Sequence, residues 1–146
     1  MEHNDQYFEG ILQLRNPTKE IMRFVYSVQE KGGIRLVSKE KKVPNGYDLY
    51  FMSNKKLLNV GKMLKESFPG RLEVSSRLFS RNRQTSREVY RMSVLFRHFS
   101  IKKGDNINFK GDSMKILSLG EKILVQDIYT GKKYSIRYSD FERYSR

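Results

Sequence analysis

An arginine-rich segment in the second half of the chain carries the clearest chemical signal in the sequence. The stretch "SRNRQTSREVYR", residues 80–91, holds four arginines, and the longer stretch 71–97 holds seven arginines and no lysine. A planar guanidinium binds a phosphate through paired hydrogen bonds and stacks on bases, whereas an ammonium is a hydrated point charge. The segment therefore indicates phosphate recognition. The residues predicted to bind RNA here are Arg77, Arg81, Arg83, Arg87 and Arg91.

Apolar residues alternate on both sides of this segment, in "RLEVSSRLF" and "EVYRMSVLF", which predicts a β-hairpin with arginines at its tip. Arg77 and Arg91 are expected to face each other across the two strands, where like charges repel. A polyanion that docks between them would relieve the repulsion. The simpler interpretation is a solvated hairpin whose arginines pair with Glu73 and Glu88.

The charge of the whole chain points in the same direction. Lysine and arginine total 29 against 16 acidic residues, so the formal net charge is +13. A surplus of this size favours a polyanionic partner, and both halves of the sequence share it. Tyr47, Tyr50 and Tyr90 are candidates for stacking on unpaired bases, although tyrosines at alternating spacing are more typical of a core.

Residues that could support catalysis are sparse. The 146 residues include no cysteine and two histidines, so no zinc or Cys–His site is expected, and no metal or cofactor is predicted. His98 is expected to pack or cap, not to act as a base. A metal-dependent nuclease stays open as an alternative, because the carboxylates of Glu9, Asp48 and Glu73 could converge. Otherwise the sequence favours a protein that is not an enzyme.

The elements that must position these residues follow from periodicity. Up to residue 98 the order is strand, helix, two strands, helix, two strands, which predicts an α+β domain, a ferredoxin-like relative with both helices on one face of an antiparallel or mixed sheet. Asn16 is expected to cap the first helix, and Ser53 or Asn54 to begin the second. Alternation in "YFEGILQLR" places Phe8 on the same face as Leu12.

A second domain is predicted over residues 99–146. Turn signals recur about every ten residues there, and short alternating runs lie between them, a pattern typical of a small all-β SH3-like barrel. Lys132 and Lys133 would lie on one hairpin of this barrel and provide a second RNA contact. The domains are thus 1–98 and 99–146, and no helical period is evident in the second.

Three blocks in order, "YFEGILQLR", "GYDLYFMS" and "SSRLFSRNRQTSREVYRMSVLFR", resemble the large-ribosomal-subunit export adaptor family named after nonsense-mediated decay, the Nmd family. The segment that follows resembles the SH3-like module of its archaeal members, so that the resemblance covers residues 7–138. Because no cysteine is present, the family's paired CxxC zinc motifs have no counterpart. The chain is interpreted as an archaeal member without the N-terminal zinc module, either truncated or minimal.

The resemblance implies binding to the large ribosomal subunit during its late maturation, with rRNA and ribosomal proteins as partners. We expect a cytoplasmic protein that is a monomer off the ribosome and has no membrane partner. Zinc binding and export are not carried over from the family. A protein-interaction adaptor in translation is the main alternative, and the nuclease is the other. DNA binding has less support, since no helix carries the basic residues of a recognition helix.

Overall fold

The computed structural model describes residues 8–31, 36–82 and 87–144, and it leaves the side chains of residues 29–31, 79–82 and 87–89 outside the description. Nine strands and three helices are assigned in this part of the chain. In chain order they are β1 (Gly10–Arg15), α1 (Lys19–Lys31), β2 (Val37–Val43), β3 (Gly46–Phe51), α2 (Asn54–Ser67), β4 (Gly70–Asn82), β5 (Arg87–His98), β6 (Asn106–Phe109), β7 (Asp112–Leu119), β8 (Ile123–Asp127), β9 (Lys133–Ile136) and α3 (Tyr138–Tyr144).

Five strands form one mixed sheet in the order β2-β3-β1-β5-β4. Strand β1 pairs antiparallel with β3 and parallel with β5. The parallel pair arises because β4 follows α2 to the sheet edge and β5 returns beside β1, where a ferredoxin-like fold has a single antiparallel strand. The predicted α+β class and mixed sheet are confirmed.

The core of this sheet lies on the face that carries the helices. Alternate residues of the central strands pack there against apolar residues of both helices. The members with almost no exposed surface are Leu12, Leu14, Ile21, Val25, Leu49, Phe51, Leu57, Val60, Leu64, Val94 and Phe96. The intervening residues of β1, β3 and β5, Arg91 among them, point to the opposite face.

The two main helices begin at different kinds of cap. The Ser53 hydroxyl accepts from the Lys56 amide and caps α2, as predicted. The prediction that Asn16 caps α1 is wrong, because the Thr18 hydroxyl accepts from the Ile21 amide instead. Asn16 adopts a left-handed backbone with φ 53° at the end of β1, where its amide donates to the Asn45 carbonyl.

The remaining four strands form a separate antiparallel sheet in the order β6-β7-β8-β9. Within the described residues β6 and β9 do not pair, so the sheet is open and does not close into the expected SH3-like barrel. Helix α3 was not predicted. Its Tyr138 and Phe141 are buried with Phe99 in the core of this sheet.

The chain divides into two compact units, of which the first is Met1–Phe68 with Leu72–His98 and the second is Pro69–Arg71 with Phe99–Arg146. The first unit contains the mixed sheet and the second contains the open one. Over the ranges 8–31, 36–82 and 87–144, no helix is long and apolar enough to cross a membrane.

Candidate nucleic-acid interface

A surface groove of about 460 Å³ lies on the first unit beside strands β4 and β5. Its lining consists of three serines and two arginines: Ser75, Ser76, Arg77, Arg91 and Ser93. Arg77 is exposed, whereas Arg91 and Ser93 are half-buried. Thus the two arginines expected to face each other line one groove. We call these five residues the arginine groove.

The chemistry of the arginine groove suits a phosphate chain. Two guanidinium groups supply charge and planar donor pairs, and three hydroxyls can donate to phosphate or ribose oxygens. None of the described lining residues is acidic. A groove of this size accommodates a segment of sugar-phosphate backbone without requiring a particular base.

Arg91 is held in place by an aromatic ring. Its guanidinium carbon lies 4.0 Å from the centroid of Phe8, a cation–π contact. Phe8 in turn stacks on Tyr50, with ring centroids 4.8 Å apart and planes inclined by 24°. The Lys39 ammonium lies 5.5 Å from the Tyr50 centroid. Lys39, Tyr50, Phe8 and Arg91 thus form a continuous row of cation, ring, ring and cation, and this row ends at an arginine that also lines the groove.

Phe8 is the member of this row that the sequence did not reveal. The expectation that it shares a face with Leu12 is wrong, because β1 begins only at Gly10 and the alternation does not extend back to residue 8. Phe8 instead stacks on Tyr50, whose neighbours Leu49 and Phe51 point to the core. Tyr50 was a candidate for base stacking, and here it stacks within the protein.

The structure describes the side chains of only some of the other residues predicted to bind RNA. Arg81 and Arg87 belong to β4 and β5, but their side chains are not among those described, and Arg83 lies outside the described residues. Lys132 and Lys133 are exposed at the turn between β8 and β9, on the second unit. Of the predicted set, the structure brings Arg77 and Arg91 together.

The other two tyrosines considered for base stacking, Tyr47 and Tyr90, lie in different surroundings. Tyr47 is half-buried and packs against the core of the first unit. Tyr90 is exposed, and its carbonyl accepts a hydrogen bond from the Asn54 side chain. Neither residue lines the arginine groove in the described part of the chain.

The carboxylates proposed for a metal-dependent nuclease are engaged apart from one another. Glu9 accepts a hydrogen bond from the Asn54 amide at 2.8 Å, at the start of α2. Asp48 forms an ion pair with Arg15 at 2.9 Å, and Glu73 is exposed on β4. Among the residues described, no group of three or more His, Cys, Asp or Glu could hold a metal ion. The nuclease alternative thus finds no support here.

Burial lowers the pKa of His98 below its usual range, while a backbone hydrogen bond with Asn16 and the charge of Glu20 oppose the shift. The unfolded chain therefore binds more protons than the folded one once the pH falls below about 6.5. We expect the free energy of unfolding contributed by His98 to be fully present at pH 7.5 and to decrease as the pH falls through the folded-state pKa. Denaturant unfolding at pH 5.0–7.5 would measure this.

His98→Asn serves as the comparison, because all other titrating groups are common to both proteins. The difference in unfolding free energy between wild type and variant should narrow on acidification. If the difference stays constant between pH 7.5 and 5.0, the imidazole is not the group responsible.

A family model described as NMD3, second domain, matches residues 7–97. The matched span contains the five strands of the mixed sheet, except for the last residue of β5, together with α1, α2 and all five residues of the arginine groove. It covers more than half of the chain. Among curated proteins, no match is found.

Proposed function

Since the chain belongs to the NMD3 family, which is a ribosome-related export adaptor family and not an enzyme family, we propose that it binds rRNA of the large ribosomal subunit during late subunit maturation. The single observation that carries this proposal is the arginine groove, in which Arg77 and Arg91 line one cavity together with three serines. The groove offers the donors that a phosphate backbone requires. Catalysis is not part of the proposed role.

The arrangement supports backbone recognition more than base recognition. Contacts to phosphate and sugar set affinity and register, whereas sequence is read at base edges. The groove residues carry three short hydroxyls and two guanidinium groups, and no amide side chain that could read a base is among the described lining. The protein would thus recognise the shape and charge of folded rRNA.

The remaining basic residues extend the proposed surface. Arg81, Arg83 and Arg87 are proposed to contact phosphates near the groove, and Lys132 with Lys133 to form a second contact point on the second unit. The partners would be rRNA and neighbouring ribosomal proteins. We place the protein in the cytoplasm, as a monomer when it is not bound to the subunit, and the sequence pattern favours an archaeal family member.

The salt dependence of RNA binding tests the proposal. If about six phosphates are neutralised, a plot of log affinity against log salt should have a slope of roughly −4 to −5. Fluorescence anisotropy with large-subunit rRNA fragments between 50 and 200 mM salt measures it. A slope near zero would contradict the electrostatic mechanism, and purified small-subunit rRNA provides the comparison for subunit preference.

A second candidate function, a protein-interaction adaptor, is favoured by a groove of about 340 Å³ on the second unit. Its lining mixes apolar and charged residues, among them Phe109, Met114, Tyr134 and Asp140. Such a surface suits a segment of a ribosomal protein. The two functions are separated by subunit pull-down after ribonuclease treatment: an adaptor retains ribosomal proteins, and an rRNA-binding protein loses them.

A further inference from the structure

The turn between β8 and β9 presents an aromatic ring to solvent. Tyr129 is 86% exposed, which makes it the most exposed large hydrophobic residue that the structure describes. Its ring adds almost nothing to the core of the second unit. A single exposed aromatic residue is common on protein surfaces and by itself indicates no ligand.

The backbone that carries Tyr129 is fixed by Asp127. One carboxylate oxygen of Asp127 accepts from the amides of Tyr129 at 2.8 Å and Thr130 at 3.0 Å. The Gly131 amide donates to the Asp127 carbonyl at 2.9 Å, and the Gln126 side chain donates to the Gly131 carbonyl at 3.0 Å. The hydrogen bonds from Thr130 and Tyr129 also lower the pKa of Asp127 below its usual range.

The turn contains one residue with a special backbone conformation. Gly131 has φ 76°, in the left-handed region that a side chain would strain. Together with the hydrogen bonds of Asp127, this fixes the path of the chain through residues 127–131. The ring of Tyr129 is therefore carried on a preorganised backbone, which lowers the entropy lost when a ligand orders it.

Positive charge lies on the strands that this turn connects and on their neighbour β7. Gln126 pairs across the strands with Lys115 on one side and Lys133 on the other, so the three side chains form a row on one face. Both lysines are exposed, and Lys132 precedes Lys133 at the turn. The nearest carboxylate in the turn, that of Asp127, is turned inward onto the backbone amides.

We propose that Tyr129 is a stacking site for one unpaired base of single-stranded RNA, with Lys115 and Lys133 binding the phosphates next to that base. This inference rests on the proposed rRNA binding and extends it to the second unit, where it selects an unpaired segment. An exposed ring can stack on a base, and exposed lysines on the same small sheet can bind the phosphates of the same strand. The hydroxyl of the tyrosine is not required.

Two substitutions at residue 129 distinguish the contribution of the aromatic ring from that of apolar bulk. Tyr129→Leu keeps an apolar side chain but removes the π face, and it should weaken binding to a single-stranded oligoribonucleotide by about 5- to 150-fold. Tyr129→Phe keeps the ring and should bind within about twofold of wild type. Neither change should alter affinity for an RNA duplex of the same length, because paired bases cannot reach the ring.

A fluorescent variant provides an independent measurement. The sequence contains no tryptophan, so Tyr129→Trp introduces a single indole whose emission reports on this position alone. We expect single-stranded RNA to quench that emission at the concentrations where it binds, and duplex RNA to leave it unchanged. Unquenched emission at saturating single-stranded RNA would overturn the inference, even if the leucine variant had lost stability.

The outcomes distinguish this inference from the function on which it rests. If Tyr129→Leu binds single strands as tightly as wild type while loss of Arg77 and Arg91 weakens RNA binding, the stacking site is refuted and rRNA binding stands. If wild type binds no RNA, both fail. If Tyr129→Leu weakens binding to intact large subunits but not to oligonucleotides, the ring contacts a protein, which also overturns the stacking site.

Discussion

Replacement of both Arg77 and Arg91 by glutamine will weaken binding to large-subunit rRNA by roughly 25- to 60-fold at 0.1 M salt. Each phosphate contact contributes about −0.7 to −0.9 to the slope of log affinity against log salt, so two lost contacts make the slope less steep by roughly 1.4 to 1.8. At 0.1 M salt that change in slope corresponds to the stated loss of affinity. A salt series with both proteins measures the slope and the loss in one experiment.

Charge elsewhere on the first unit supplies the matched control. Lys62 and Lys65 are exposed on α2, whereas the arginine groove lies beside β4 and β5, and replacing both lysines with glutamine removes the same total charge. This control should weaken binding by less than about threefold, because distant charges are screened at 0.1 M salt. Equal losses in the two double variants would show that the net charge binds RNA and that the groove has no special part.

A conservative pair of substitutions in the groove separates charge from geometry. The double variant that combines Arg77→Lys with Arg91→Lys retains both positive charges, so its salt slope should stay close to that of wild type. The bidentate hydrogen bonds and the contact of a flat guanidinium with the Phe8 ring are lost, which should weaken binding at every salt concentration. Arginine is therefore expected to matter for its shape as well as for its charge.

Much of the first unit could be predicted from sequence because its signals are local. The Ser53 cap, the turn at Asn45 and the helical spacing of Leu57, Val60 and Leu64 each depend on a few neighbouring residues. The start of α1 was predicted wrongly because Asn16 and Thr18 are both good cap residues. Pairing of Asn16 with Asn45, which is far away in sequence, decides between them.

Helix α3 illustrates the limit set by length. It spans Tyr138–Tyr144, about two turns, and its two buried residues Tyr138 and Phe141 give too short a pattern to establish a helical period. The strands that precede it were recognised from turn residues, but strand pairing between β6 and β9 cannot be read from local sequence. The small barrel was predicted from the spacing of turn signals and short strands, and the ends of the sheet do not meet within residues 99–144.

Part of the arginine groove could likewise be predicted from local sequence, and part depends on the order of the strands in the sheet. Alternation within one hairpin was enough to place Arg77 and Arg91 together, since a two-residue period assigns each side chain to a face. The contact of Arg91 with Phe8, and of Phe8 with Tyr50, joins residues near β1, β3 and β5. These strands meet only through the order of the sheet, so the row of rings and cations could not be found from sequence.

Gly46→Ala should destabilise the first unit by about 3 kcal/mol or more, which lowers its melting temperature by roughly 12 °C or more. A Cβ at Gly46 would lie 1.8 Å from the carbonyl oxygen of Leu14, a backbone atom that no rotamer change can move. Gly46 pairs with Arg15 on β1 and with Val43 on β2, so relief requires β3 to shift from both neighbours. Thermal and denaturant unfolding followed by circular dichroism measure the loss.

Gly120→Ala is the matched control, because it adds the same methyl group where no atom lies within 4 Å. Both substitutions reduce the freedom of the unfolded chain to the same extent, so that effect cancels in the comparison. The control should change stability by less than about 0.5 kcal/mol. A Gly46→Ala protein as stable as the control would mean that the turn of β2 and β3 does not approach β1 as closely as Leu14 and Gly46 indicate, and the face that carries Tyr50 beside Phe8 would then need a different strand register.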